Sequence, residues 1–181
     1  GDTVAVLGCG TIGLLALQAA QAAGATRILA TDVVANRLAL AAELGAETFD
    51  ASGADTVAAL TDATGGRGAD VVLETAGTVA TTQQTVKLVR TGGMVCLVGL
   101  PPDSVLPFDV MEILTRELDL SSVFRYANCF GACVELISAG KVNLAPLVTG
   151  RYPLASIEEA FEFASTRKDE CIKLVVDVAG G

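Results

Sequence analysis

Six residues near the start of the chain, Gly8-Cys9-Gly10-Thr11-Ile12-Gly13, form a G-x-G-x-x-G pattern whose chemistry is phosphate binding. The first glycine permits a tight turn, and the second lets the backbone approach a pyrophosphate. The third allows a helix to pack closely on a strand. Amides in the first turn of that helix, at Thr11 and Ile12, would then face the negative phosphates. Asp32 follows where a second strand should end, and its carboxylate can accept hydrogen bonds from adenosine ribose hydroxyls. The same charge repels a 2′-phosphate, so these residues point to NAD. Arg37 softens that repulsion and leaves NADP open. A strand-to-helix turn without a ligand and a merely solvated carboxylate are the plain alternatives. The succession of strand, loop, helix and acid argues against both.

Positioning such a loop requires alternating strands and helices, and the sequence supplies the rhythm. Apolar runs at 4–7, 28–31, 71–74, 94–98 and 120–124, with a weaker one at 47–49, read as strands. Helical patterns at 12–23, 36–44, 56–61, 81–89 and 110–116 lie between them, with turn signals at Gly24, Gly45, Gly65-Gly66, Gly92-Gly93 and Pro101-Pro102. The expectation is an α/β fold: a Rossmann-type, doubly wound, six-stranded parallel sheet with its ligand crevice at the strands' carboxyl ends. Beyond Phe124 the rhythm changes to helical patterns at 132–138 and 157–165 and a final run at 172–176. This helix–strand tail either covers the sheet or belongs with a neighbouring domain. The division expected is 1–140 for the dinucleotide-binding domain and 141–181 for the tail.

Composition narrows the partners. A formal net charge of −9 argues against nucleic acid or an anionic membrane surface. The acidic excess is a solvated surface or a high-salt habit. Five cysteines, Cys9, Cys96, Cys129, Cys133 and Cys171, show no C-x-x-C spacing and are odd in number, which fits a reducing cytoplasm better than a disulfide framework. The charge-free stretch from Val4 to Thr26 could be taken for a membrane span, but its glycines and glutamines favour a buried strand followed by a helix. The chain opens on Gly1 rather than Met, which points to a preceding segment.

What is missing matters as much. With no histidine in the chain, Ser–His, Cys–His and His-dependent hydroxy-acid mechanisms are excluded. Tyr126 and Tyr152 lack a Lys four residues on, which removes the short-chain dehydrogenase pair. Cys129 and Cys133 could share a helix face, but two thiols do not close a zinc site, so they read as small buried core residues. Glu74 ends a strand near the crevice and has no partner acid or base beside it, so it stays unassigned. No complete hydride-transfer machinery is present, and no catalytic residue is assigned.

These residues resemble the cofactor domain of zinc-dependent medium-chain alcohol dehydrogenases, nearest to the sorbitol and xylitol (polyol) branch. The likeness rests on Asp2-Thr3-Val4 leading into the glycine loop, on Asp32 with Arg37, and on Glu74-Thr75-Ala76-Gly77. Val98-Gly99-Leu100-Pro101, Val123-Phe124-Arg125-Tyr126-Ala127-Asn128, Pro146-Leu147-Val148-Thr149 and Ile157-Glu158-Glu159-Ala160-Phe161 continue it. Cys129-Phe130-Gly131 departs from it. The resemblance covers the whole chain but only about half of such an enzyme. It implies that Ile12, Asp32 and Arg37 contact the adenosine and phosphate part of NAD. It also implies that Val98, Gly99, Leu100, Val123, Phe124 and Arg125 line the nicotinamide, and that Arg125 and Tyr126 reach a polyol bound at zinc. Zinc ligands and the proton relay would lie in an absent half, so the isolated chain should bind NAD and turn over nothing. The resemblance further implies that 157–176 packs on that half, leaving a last strand with a free edge through which the isolated chain self-associates, and that homo-oligomers form through the sheet edge. A free-standing NAD-binding module without catalysis and a zinc-independent medium-chain reductase domain are the rival readings.

Overall fold

The structure, a computed structural model, describes residues 1–53 and 55–178. Val4, Val6 and Leu7 sit in β1 (Thr3–Leu7), a run of apolar residues that carries no polar alternation because helices cover both of its faces. Its neighbours are β2 (Arg27–Asp32), β3 (Glu47–Asp50), β4 (Ala69–Glu74), β5 (Val89–Leu97) and β6 (Asp119–Ser122). All pair in parallel in the order β3-β2-β1-β4-β5-β6. The crossovers contain α1 (Thr11–Ala22), α2 (Ala35–Glu43), α3 (Thr56–Ala63), α4 (Val79–Leu88) and α5 (Val110–Thr115). This is the Rossmann-type doubly wound sheet that the alternation predicts. The winding reverses between β1 and β4, so Leu7 and Glu74, register partners at the carboxyl ends, flank the crevice.

The period of two along the strands divides the core. Ala5, Leu7, Leu29, Val72 and Val95 join Leu60 of α3 and Val86 of α4 on one face. Val4, Val6, Ile28 and Ala30 meet Leu14 and Leu17 of α1 and Leu40 of α2 on the other. Val4 to Thr26 thus resolves into β1 and α1. Among the described residues no helix is long and apolar enough to cross a membrane. Side-chain caps set the starts of α3 and α4: Asp55 Oδ1 accepts from the Ala58 amide at 3.1 Å, and Thr78 and Thr81 cap α4 reciprocally.

Three differences from the sequence reading are physical. The strand expected at 94–98 begins at Val89, because Gly92 takes φ +62° and lets a bulged ladder absorb what reads as a turn. Cys129 and Cys133 are not core residues. Cys133 is exposed and Cys129 is half-buried, because α6 (Phe130–Ser138) buries no residue at all. The tail contains a strand that periodicity hides, β7 (Val148–Pro153), whose Gly150 and Pro153 weaken its β signal. It pairs in parallel with β8 (Lys173–Asp177), and α7 (Ile157–Thr166) crosses between them.

The tail also touches the first domain. Leu147 is buried in the α1-side core, with Ile172 packed against it. The Gln18 side chain both donates to the Asn143 carbonyl at 3.2 Å and accepts from the Asn143 amide at 2.6 Å.

Candidate cofactor site

Each glycine of the loop has a different reason to be one. Gly8 donates to the Thr31 carbonyl at 2.8 Å and adopts φ +99°, and a Cβ there would lie 2.8 Å from that of Ala76. A Cβ at Gly13 would overlap the Gly8 carbonyl oxygen, so α1 can follow β1 this closely only without one. Gly10, the N-cap of α1, has nothing within 4 Å of where a Cβ would stand. Its bareness serves no internal packing. It leaves an open cradle in front of the α1 amides, which the first turn of a helix leaves without backbone partners.

Asp32 closes the other side. Its Oδ2 accepts from the Cys9 amide at 2.7 Å, and its Oδ1 accepts from the Val34 amide at 2.9 Å. The carboxylate therefore fixes the loop as well as facing the crevice. Cys9 turns inward, as its small apolar character predicts. Burial, and then the Asp32 charge, push its thiol up to about 12, so it stays neutral. Arg37 Nη1 stands 3.9 Å from Asp32 Oδ2, and Arg37 Nη2 donates to the Lys168 carbonyl at 2.9 Å. Its Nε is buried without an acceptor. Gly8, Gly10, Asp32 and Arg37 share a cavity of about 380 Å³ with Thr75 and Thr78.

A second cavity of about 230 Å³ lies further along the same carboxyl edge. Val98, Gly99, Leu100, Val123 and Phe124 line it. The structure thus divides the sequence-predicted residues between two adjoining cavities. Thr11, Ile12 and Gly13 lie at the loop without lining the first cavity, and half-exposed Ile12 faces outward. Arg125 and Tyr126 lie just beyond the second. The Arg125 guanidinium stacks over the exposed Phe124 ring at 5.1 Å, and Tyr126 meets Phe130 edge to face at 5.1 Å. A larger hollow of about 440 Å³ at the strands' amino ends is lined mainly by small and apolar residues, with Asp2 its one charged side chain.

Glu74 is the residue that sequence reasoning left unassigned. It is buried, and its Oε1 accepts from the Ala76 amide at 3.0 Å, the Gly77 amide at 2.9 Å and the Thr81 hydroxyl at 2.7 Å. Its backbone carbonyl accepts from the amides of Val98 and Gly99, both at 2.9 Å. One residue therefore ties the β4–α4 turn to the end of β5, on the wall between the cavities. An acid ending an apolar strand before Thr-Ala-Gly is the signal that could have found it.

The zinc-binding dehydrogenase family model matches residues 11–139. The chain belongs to that family. A sorbitol dehydrogenase from Bacillus subtilis (strain 168) is 38% identical over 177 residues, covering 97% of this chain and 50% of the relative. The alcohol dehydrogenase TADH from Thermus sp. ATN1 superposes with a TM-score of 0.92 at 34% identity, covering 99% of this chain and 52% of that one. A zinc-binding dehydrogenase from Sinorhizobium meliloti 1021 bound to NADP superposes with a TM-score of 0.84 at 33% identity, covering 88% and 48%. The chain spans about half the length of the relatives it matches. Family membership makes a nicotinamide dinucleotide the ligand class against which to judge the two cavities. A pyrophosphate suits the open cradle at Gly10, and the orphaned Arg37 Nε–H suits an oxygen-rich ligand. Among the described residues, no group of three or more His, Cys, Asp or Glu side chains comes together to hold a metal ion.

Proposed function

We propose that this chain is the NAD-binding half of a zinc-dependent polyol dehydrogenase of the sorbitol/xylitol type, and that the complete enzyme transfers hydride from a secondary alcohol to NAD. The observation that carries the reading is the crevice at the β1/β4 reversal, where a bare helix entrance at Gly10 stands beside the Asp32 carboxylate. The pyrophosphate is held by the first-turn amides of α1, at Thr11, Ile12 and Gly13. Asp32 receives the adenosine ribose hydroxyls, and Arg37 limits its charge. Val98, Gly99, Leu100, Val123 and Phe124 hold the nicotinamide ring in the second cavity, with Arg125 at its rim. Arg125 and Tyr126 are exposed where a polyol would approach. The bound dinucleotide supplies the hydride-accepting carbon, and the chain's own task is to bind, orient and keep water from it.

Zinc would be held by the rest of the enzyme, so the isolated chain is expected to bind NAD without oxidising alcohols. Among the described residues nothing pairs with the outer edge of β6, and its four residues are exposed, which supports a homo-oligomer through this edge. Five cysteines without a disulfide among the described residues suit a reducing compartment such as the cytoplasm.

Calorimetric titration of the chain with NAD and NADP tests the reading. Binding that favours NAD and is lost in Asp32→Ala supports it, whereas binding of neither dinucleotide overturns it. Polyol-dependent NADH production by the chain alone would overturn the division of labour.

A further inference from the structure

Residues 168–172, between α7 and β8, hydrogen-bond to Arg37, which lines the adenosine-side cavity, and to Asn36 and Thr11 beside it. The Lys168 carbonyl accepts from Arg37 Nη2 at 2.9 Å, and the Asp169 carbonyl accepts from Asn36 Nδ2 at 3.3 Å. The Ile172 carbonyl accepts from the Thr11 hydroxyl at 2.6 Å. The segment therefore joins the first turn of α1 to the first turn of α2, the two helices that frame Asp32.

Arg37 is where this matters. A guanidinium recognises a phosphate best with two parallel N–H donors. Here one terminal nitrogen is committed to a main-chain carbonyl, and the other faces the Asp32 carboxylate. The remaining Nε–H is buried and has no acceptor. The Lys168 carbonyl therefore sets the direction in which the remaining N–H groups point, and Asp32 lies beside Nη1, so the fork is not free to turn both arms toward a phosphate.

We infer that the 168–172 segment is a cofactor-specificity element: by latching Arg37 through the Lys168 carbonyl it disfavours dinucleotides bearing a 2′-phosphate. This rests on the dinucleotide reading of the cavity. Asp32 repels the phosphate, and the segment holds back Arg37, the cation that lines this cavity among the described residues. Release of the segment turns Arg37 into a phosphate ligand.

Two variants loosen the segment without altering Arg37 or Asp32. Thr11→Val with Asn36→Ala removes two of its anchors, and a two-glycine insertion after Asp169 lengthens it. The ratio of NADP to NAD dissociation constants is measured by calorimetry in wild type and in both variants. The expected result is a fall in that ratio of about tenfold in at least one variant, reversed when Arg37→Ala is added. An unchanged ratio in both variants, or a fall that survives Arg37→Ala, overturns the inference. Wild-type chain that binds NAD but shows no shift in the variants defeats only the segment's role. Wild-type chain that binds neither dinucleotide defeats the cofactor reading beneath it.

Discussion

Strand β4 carries a carboxylate at each end, and the two are held in opposite ways. Asp70, at the amino end, meets Arg90 Nε at 2.6 Å, Arg67 Nη2 at 2.7 Å and the Thr3 amide at 2.9 Å. Glu74, at the carboxyl end, meets only amides and a hydroxyl, and its Oε2 is buried with no partner. The Arg67 and Arg90 hydrogen bonds hold Asp70 well below the usual carboxylate range. At the amino end of β4 the charges satisfy one another. The carboxyl edge leaves polar groups without partners, which suits the ligand-binding role proposed for it.

The largest expected effect lies at the glycine loop. Gly13→Ala should cost about 3 kcal/mol or more, because its methyl group meets main chain that cannot yield, and it should abolish NAD binding. Gly10→Ala should change stability by less than about 0.5 kcal/mol while weakening NAD at least tenfold. Thermal melts alongside titration read both. Equal destabilisation by the two would erase the contrast, since Gly10 would then be packing rather than cradle.

Next come the two carboxylates. Glu74→Ala strands the Ala76 and Gly77 amides and should cost about 2 kcal/mol, together with a weaker NAD affinity. Asp70→Asn should cost about 1–2 kcal/mol and leave the NAD dissociation constant unchanged, the half-exposed Arg67 adding little. A shift in NAD affinity with Asp70→Asn would show that the two edges are coupled.

A pH series sharpens the point. Asp70 has a folded value below its ordinary 3.8, so its contribution is fully present above that value and fades as pH falls below it. Urea midpoints should therefore fall below about pH 4 in wild type, and the fall should be shallower in Asp70→Asn. The smallest effect is chemical. Exposed Cys133 should react readily with a thiol reagent at pH 8, and Cys9 should not react until the chain unfolds. Early modification of Cys9 would mean that the loop opens locally.

The parts of this architecture that were readable in the sequence are those governed by local rules. The glycine loop, Asp32 at a strand end, and six apolar runs between helices all follow from periodicity and turn chemistry, and the structure has a strand at each run, the fifth beginning earlier than read. Residues governed by tertiary contact were harder. Glu74 looks like any strand-end acid until the turn it holds is seen. Cys129 and Cys133 look like core because helical spacing cannot say whether a helix face has anything to pack on. β7 was hidden by Gly150 and Pro153, and its pairing with β8 depends on a crossover rather than on a hairpin.

The Thr11–Ile172 hydrogen bond spans 161 positions, so an early loop waits for a late segment. A ribosome adding roughly 5–20 residues per second needs about ten to thirty seconds to cover that interval. During that time the nascent chain can form β1 and α1 but not the bridge across them. Within this stretch of chain the glycine loop is therefore begun early and completed late. A cofactor captured before residue 172 is made would meet a loop whose Thr11 hydroxyl has not yet found its carbonyl.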